Sequence, residues 1–200
     1  MNKEQTLTGV IRGTGACVPE RILDNDEIAG FVDTSDEWIR ERTGVRKRRI
    51  AEKETTVSMA CEAGRQAVEE AGISPGEIDM ILVATGSPDQ IFPCTACRVQ
   101  EALGADGAVG FDLNAACSGF LFAYNTAQAY IASGIYRTVL VIGSESISRL
   151  VDWTDRGTCI LFGDGAGAVL LQAAEGRTYR PIAHSDGSGG EALTGPGVRN

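Results

Sequence analysis

The sequence predicts an α/β layered fold built on a mixed, mostly parallel sheet. Two observations carry that expectation. Strand-like and helix-like stretches alternate along the chain. One strand, EIDMILVATG (77–86), is a continuous apolar run bounded by turn residues, as in a parallel sheet covered on both faces.

Taken in order, LTGVIRGTGACVP opens with a strand from Leu7 to Ile11 and then a glycine turn closed by Pro19. Gly13 and Gly15 are spaced as in a dinucleotide fingerprint, but Val18 stands where the third glycine would be, so a tight turn is the reading. TSDEWIRERTG is a short helix. Ser35 or Thr34 can cap it, acids fill its first turn, and Gly44 follows its end. TTVSMACEAGRQAVEEAG is a longer helix with Val57, Ala60, Cys61, Gly64, Ala67 and Val68 on one face and Gly72 as its stop. PCTACRVQEALG is another helix, AVGFDLN a strand, GFLFAYNTAQAYIASG a helix, and TVLVIGSES a strand. GTCILFGDGAGAVLLQAAE reads as two strand segments around a glycine-rich bend, and YRPIAHSDG as a further strand. The terminal GEALTGPGVRN carries turn chemistry without a closing element. Residues 1–175 are therefore expected to form one unit, and 176–200 to begin a connection into a further half.

The totals narrow the function classes. The chain has 200 residues, 43% hydrophobic and 22% charged, which is globular composition. A net charge of −9 argues against a general nucleic-acid binder. MNKEQTLTGVIR lacks the apolar core of a signal peptide. No apolar run approaches the roughly 20 residues that span a bilayer. The expectation is a cytoplasmic protein that binds neither nucleic acid nor membrane, and its six cysteines read as reduced thiols.

One cysteine stands apart. In FDLNAACSGF (111–120), Cys117 lies where a strand hands over to a helix, among small residues. A helix N-terminus favours the thiolate, the reactive form of cysteine. Ala115, Ala116 and Gly119 leave room for a substrate carbonyl, and the Cys117 N–H can help hold an oxyanion. Local pattern alone leaves a buried structural cysteine equally open.

AACSGF resembles the active-site motif of the beta-ketoacyl-[acyl-carrier-protein] synthase III family, a branch of the thiolase-like superfamily. DTSDEWIRERTG (33–44), FPCTACRVQEALG (92–104), DRGTCILFGDGAGAVL (155–170) and HSDGSGGE (184–191) resemble the same family in the same order. The resemblance covers essentially the whole chain. It implies a thiolase-like αβαβα fold, of which this chain is mainly the N-terminal half. It also implies that Cys117 takes an acyl group, usually acetyl, from acyl-CoA. Condensation with malonyl-acyl-carrier protein then releases carbon dioxide. Acyl-CoA is a substrate in that chemistry, and neither cofactor nor metal is implied.

The family pairs its cysteine with a histidine and an asparagine. This chain offers only His184, in a segment that resembles a non-catalytic part of the family, so both partners are expected beyond Asn200. By the same resemblance Trp38 and Arg156 flank the adenine of coenzyme A, Thr34 meets its edge, and Arg42 lies at the tunnel mouth. Stacking and cation–π contact are the physical reason for those residue types. Without the family match, Trp38 reads as a surface aromatic among solvated charges. Phe92 and Phe162 are assigned to the acyl pocket, Phe92 reaching across a homodimer. The basic run Arg46, Lys47, Arg48, Arg49 could meet phosphates or an acidic carrier protein, or be a solvated face.

Two motifs read as structural. Cys94 and Cys97 form a CxxC without the second pair zinc wants or the context of a redox motif. FGDGAGAVL lacks the lysine and following helix of a phosphate loop, so its glycines allow close backbone packing.

Three rivals stay open. They are a relative from secondary metabolism with another starter or acceptor, a cysteine thioesterase or amidase, and a non-catalytic fragment.

Overall fold

The computed structural model describes residues 6–177 and 180–195. Its strands are β1 (Leu7–Cys17), β2 (Ile22–Asp24), β3 (Lys47–Arg49), β4 (Met80–Ala84), β5 (Val109–Leu113), β6 (Thr138–Ser146) and β7 (Asp164–Glu175). Its helices are α1 (Asn25–Ala29), α2 (Asp36–Thr43), α3 (Thr56–Ala71), α4 (Thr95–Leu103), α5 (Gly119–Ala132) and α6 (Arg156–Cys159). Five strands form one sheet in the order β1-β7-β6-β4-β5, and β2 pairs with β3 in a small second sheet. β4 runs parallel to both β5 and β6, while β7 is antiparallel to both β6 and β1. Four of the five strands therefore point one way and β7 alone is reversed.

Helices cover both faces. Every residue of β4 is buried, as its unbroken apolar run requires. Ile81 and Val83 pack with Ala60, Ala63, Ala67 and Val68 of α3 and Ala96 and Val99 of α4. Met80, Leu82 and Ala84 face the other way, onto Ala123, Ala127 and Ile131 of α5. A third cluster, of Leu23, Ile28, Ile39, Cys159 and Ile160, lies under α1, α2 and α6.

The helix ends follow their local chemistry. The Ser35 hydroxyl accepts from the Trp38 N–H, and Gly44 closes α2 at φ 72°. α3 carries a reciprocal capping box between Thr55 and Ser58 and stops at Gly72, φ 68°.

Four local expectations are corrected. The glycine stretch after Ile11 is no turn: β1 continues to Cys17, with a register shift between Ile11 and Gly13. The glycines serve packing instead. A Cβ on Gly13 would lie 2.0 Å from the Ala67 carbonyl oxygen, and one on Gly15 2.0 Å from that of Ala63. The backbone of α3 rests directly on β1 there. The buried face of α3 is turned toward Met59 and Ala63, leaving Val57 and Cys61 half-buried. Residues 157–159 belong to the short helix α6 rather than a strand, because the Asp155 carboxylate caps that turn by accepting from the Gly157 N–H at 2.9 Å. No strand forms over 180–187: these residues are exposed, Ile182 at 88%, and no ladder partner meets them among the described residues.

Two elements carry no sequence expectation, α1 and the β2–β3 pair. Arg48 of β3 explains its own burial. At 5% exposure its guanidinium donates to Asn25 Oδ1 at 2.9 Å, to the Ile160 carbonyl at 2.9 Å and to the Leu23 carbonyl at 3.3 Å. Burial pushes its pKa below the usual guanidinium value. The basic run is thus divided, with Arg48 tying the third cluster together while Lys47 and Arg49 face outward.

Candidate active site

Cys117 is an exposed, free thiol at the C-terminal end of β5. It lies in a single 3-10 turn, Ala116–Ser118, immediately before α5. Ala116 is the only described non-glycine residue with positive φ, at 45°. An L-residue pays of order 1–3 kcal/mol to sit there. The Asn114 side chain helps hold the bend, its Oδ1 accepting from the Ala116 N–H at 3.2 Å. Small residues let the turn sit close to the sheet: a Cβ on Gly119 would stand 3.2 Å from the Cβ of Ala84. The result is a sharp elbow that lifts one thiol off the strand ends at the start of a helix.

The neighbouring strand ends are polar and ordered. The Glu145 carboxylate accepts from the Gly86 N–H at 2.8 Å, from the Thr85 hydroxyl at 3.3 Å and from the Ser87 hydroxyl. Gly86 leaves open the space between Glu145 Oε1 and Asn114 Oδ1, each 3.7 Å from where its Cβ would stand. Sequence reasoning missed Glu145 and Asn114. The polar Ser-Glu-Ser at the end of an apolar strand was the available signal.

A second group forms around Trp38 on α2. The Arg42 guanidinium lies 4.2 Å from the Trp38 ring centroid and that of Arg156 lies 4.6 Å from it. Arg156 also donates to the Asp33 carbonyl at 2.9 Å. Beside it, Thr34 Oγ1 is buried without a hydrogen-bond partner. Four of the residues singled out in the sequence, Thr34, Trp38, Arg42 and Arg156, thus gather from two distant stretches of chain. Trp38 packs against the third cluster, whereas Cys117 lies in the turn that leads into α5.

The family model for 3-oxoacyl-[acyl-carrier-protein (ACP)] synthase III matches residues 111–188, which include the elbow. The beta-ketoacyl-[acyl-carrier-protein] synthase III of Erythrobacter litoralis is 52% identical over 188 residues, covering 91% of this chain and 59% of that protein. The Clostridium acetobutylicum protein of the same name is 51% identical, over 93% of this chain and 58% of its own length. The crystal structure of the Aquifex aeolicus synthase III superposes with a TM-score of 0.83 at 50% identity, over 84% of this chain and 55% of that one.

Over about nine tenths of its length this chain is similar to beta-ketoacyl-[acyl-carrier-protein] synthase III.

It spans a little under three fifths of the length of those curated synthase III relatives. The likeness extends beyond that name. A priming beta-ketosynthase of the R1128 polyketide pathway superposes with a TM-score of 0.88 at 38% identity, over 94% of this chain.

The remaining residues singled out from the synthase III resemblance are Phe92, Phe162 and His184. Phe92 is 82% exposed, beside exposed Ile91, at the tip of the segment between β4 and α4. Phe162 is half-buried in the turn that leads into β7. His184 lies in the exposed segment after β7. Asp164, in FGDGAGAVL, is buried and structural: its carboxylate accepts from the Ala51 N–H at 2.7 Å, the Ser148 N–H at 2.9 Å and the Ser148 hydroxyl at 2.6 Å. Among the described residues no helix is long and apolar enough to cross a membrane.

Proposed function

We propose that the protein initiates fatty-acid synthesis as a condensing enzyme. The Cys117 thiolate attacks the carbonyl carbon of a short acyl-CoA, acetyl-CoA in the simplest case. A carbon–sulfur bond forms to the enzyme and coenzyme A leaves as its thiolate. Malonyl-acyl-carrier protein then loses carbon dioxide, and the resulting enolate attacks the acyl-enzyme. The products are 3-oxoacyl-acyl-carrier protein and the free Cys117 thiolate. The observation that carries this reading is the strained elbow at Ala116, which presents one exposed thiol at the N-terminus of α5.

Trp38, Arg42 and Arg156 are assigned to the adenine end of coenzyme A. The partnerless Thr34 hydroxyl supports an edge contact with the base. Phe92 and Phe162 are assigned to the acyl pocket. The exposure of Phe92 suits a side chain that completes a second subunit's site, and hence a homodimer. Six free cysteines favour the reducing cytoplasm. The enolate requires preorganised hydrogen-bond donors. We assign that role to a histidine and an asparagine in the length of the family that this chain does not span. Acyl-CoA enters as substrate, and the scheme invokes no cofactor.

A second reading, a synthase that primes secondary metabolism with another starter or acceptor, draws on the likeness to the polyketide priming enzyme. One assay addresses both. The full-length protein is given a panel of acyl-CoAs with malonyl-acyl-carrier protein, and the condensed product is followed. Product from acetyl-CoA that vanishes in Cys117→Ala supports the first reading, and preference for a longer starter the second. Acyl-CoA consumed at the same rate without malonyl-acyl-carrier protein would make the protein a thioesterase instead.

A further inference from the structure

The CxxC at the start of α4 is not used by the chemistry above, yet its geometry is specific. Cys94 is the N-cap of α4, and its side chain makes no capping bond. That work is done by Asp112, whose carboxylate accepts from the Thr95 and Ala96 N–H groups at 2.8 Å each. The Cys94 thiol is left to turn toward Cys97, one helical turn on. The two sulfurs are 3.3 Å apart in a thiol–thiol hydrogen bond, and both face the Gly110 carbonyl, at 4.0 and 3.9 Å. Among the described residues they are the one pair of thiols within hydrogen-bond distance. Both are half-buried, next to the exposed Ile91–Phe92–Pro93 tip. Among the described residues no cluster of three or more His, Cys, Asp or Glu side chains forms that could hold a metal ion.

We propose that Cys94 and Cys97 are a redox-active dithiol that closes to a disulfide by exchange with a small-molecule disulfide of the glutathione type. Cys94, at the N-cap of α4 and next in the chain to the exposed Ile91–Phe92–Pro93 segment, attacks first. Its sulfur bonds to one sulfur of the small disulfide, and the other leaves as a thiolate. Cys97 then gives up its proton and attacks Cys94 Sγ, releasing the second small thiolate. Two protein thiols are oxidised, one small disulfide is reduced to two thiols, and the two protons pass to the leaving thiolates. Closing the pair to a bond of about 2.05 Å takes a side-chain rotation. The order of attack agrees with the environment of Cys97. Its thiol is held above the usual range by the hydrogen bond with Cys94, then by burial and by the charges nearby, Asp112 among them. The closed ring ties the first turn of α4 to the base of the Phe92 tip.

The test is thiol mapping of the full chain across a series of reduced and oxidised glutathione ratios, with acid quenching, alkylation and peptide mass spectrometry. The expected result is a peptide carrying Cys94 and Cys97 that becomes two hydrogens lighter and resists alkylation. Excess reduced glutathione should reverse it. In Cys97→Ser, glutathione should remain trapped on Cys94. Wild-type thiols that stay alkylatable at every ratio would overturn the proposal, as would pairing of Cys94 with any other cysteine. The readout does not involve acyl transfer, so it stands or falls apart from the proposed activity.

Discussion

Arg156 stacks on Trp38 at 4.6 Å from the ring centroid, a single layer of contact. A planar base needs about 3.5 Å to each neighbour, or about 7 Å in all. On the proposed assignment adenine enters between them only if Arg156 swings outward, giving up one cation–π contact to gain a stacked base. Trp38→Ala or Arg156→Ala should weaken coenzyme A binding by about 1–3 kcal/mol, on the scale of aromatic stacking on bases. Calorimetry checks this, and unchanged affinity in both variants would place the nucleotide elsewhere. At this scale the sequence was informative where a residue's task is local. Ser35 and Gly44 announce the ends of α2, and the small residues around Cys117 announce an elbow. Arg48 was not legible. Its burial depends on acceptors from Leu23, Asn25 and Ile160, and no spacing within RKRR encodes them.

The main misreading among the elements has one cause. Gly13 and Gly15 suggest a turn when only local conformation is weighed, but the constraint on them is the backbone of α3 pressing on β1. Gly15→Ala should destabilise the protein by about 1–3 kcal/mol, because a Cβ 2.0 Å from the Ala63 carbonyl oxygen forces helix and strand apart. Urea unfolding of the variant measures it, and wild-type stability would contradict the packing account. On the exposed side of α3, Arg65 bonds both Glu62 and Glu69. The hydrogen bonds from Arg65, with help from Gln66, depress the Glu62 pKa from 4.5 to about 2. A depressed carboxylate pKa contributes stability above the unfolded value and loses it as pH falls through the folded one. Glu62→Gln should therefore cost stability at neutral pH, by less than about 1 kcal/mol because the pair is solvated. The gap from wild type should close between pH 4.5 and about 2, which unfolding curves across that window would show. A gap that stays constant would assign the cost to something other than charge. The strand expected at 179–187 does not form over its described residues, 180–187, for a reason seen only in three dimensions: a strand needs a neighbour, and they meet none among the described residues.

At the scale of the molecule, the apolar surfaces left open are organised. α5 is apolar nearly all round, burying Ala123, Ala127 and Ile131 while Leu121 stays exposed. β5 is the sheet edge among the described residues, with Val109 exposed, and the Ile91–Phe92 tip projects beside α4. A helix with no polar face is normally covered on more than one side. The layered architecture was legible because alternation and the buried run of β4 are long-period signals that survive local errors. The reversal of β7 was not, since no residue in DGAGAVLLQAAE states which way its neighbour runs. The proposed function rests on the elbow over this core making Cys117 the acyl acceptor. The measurement closest to it is incubation of the full-length protein with acetyl-CoA alone, followed by acid quenching and peptide mass spectrometry. The expected result is one acetyl group, on Cys117, and none on Cys17, Cys61, Cys94, Cys97 or Cys159. An acetyl group on any of those five, or an unmodified Cys117 at saturating acetyl-CoA, would contradict it.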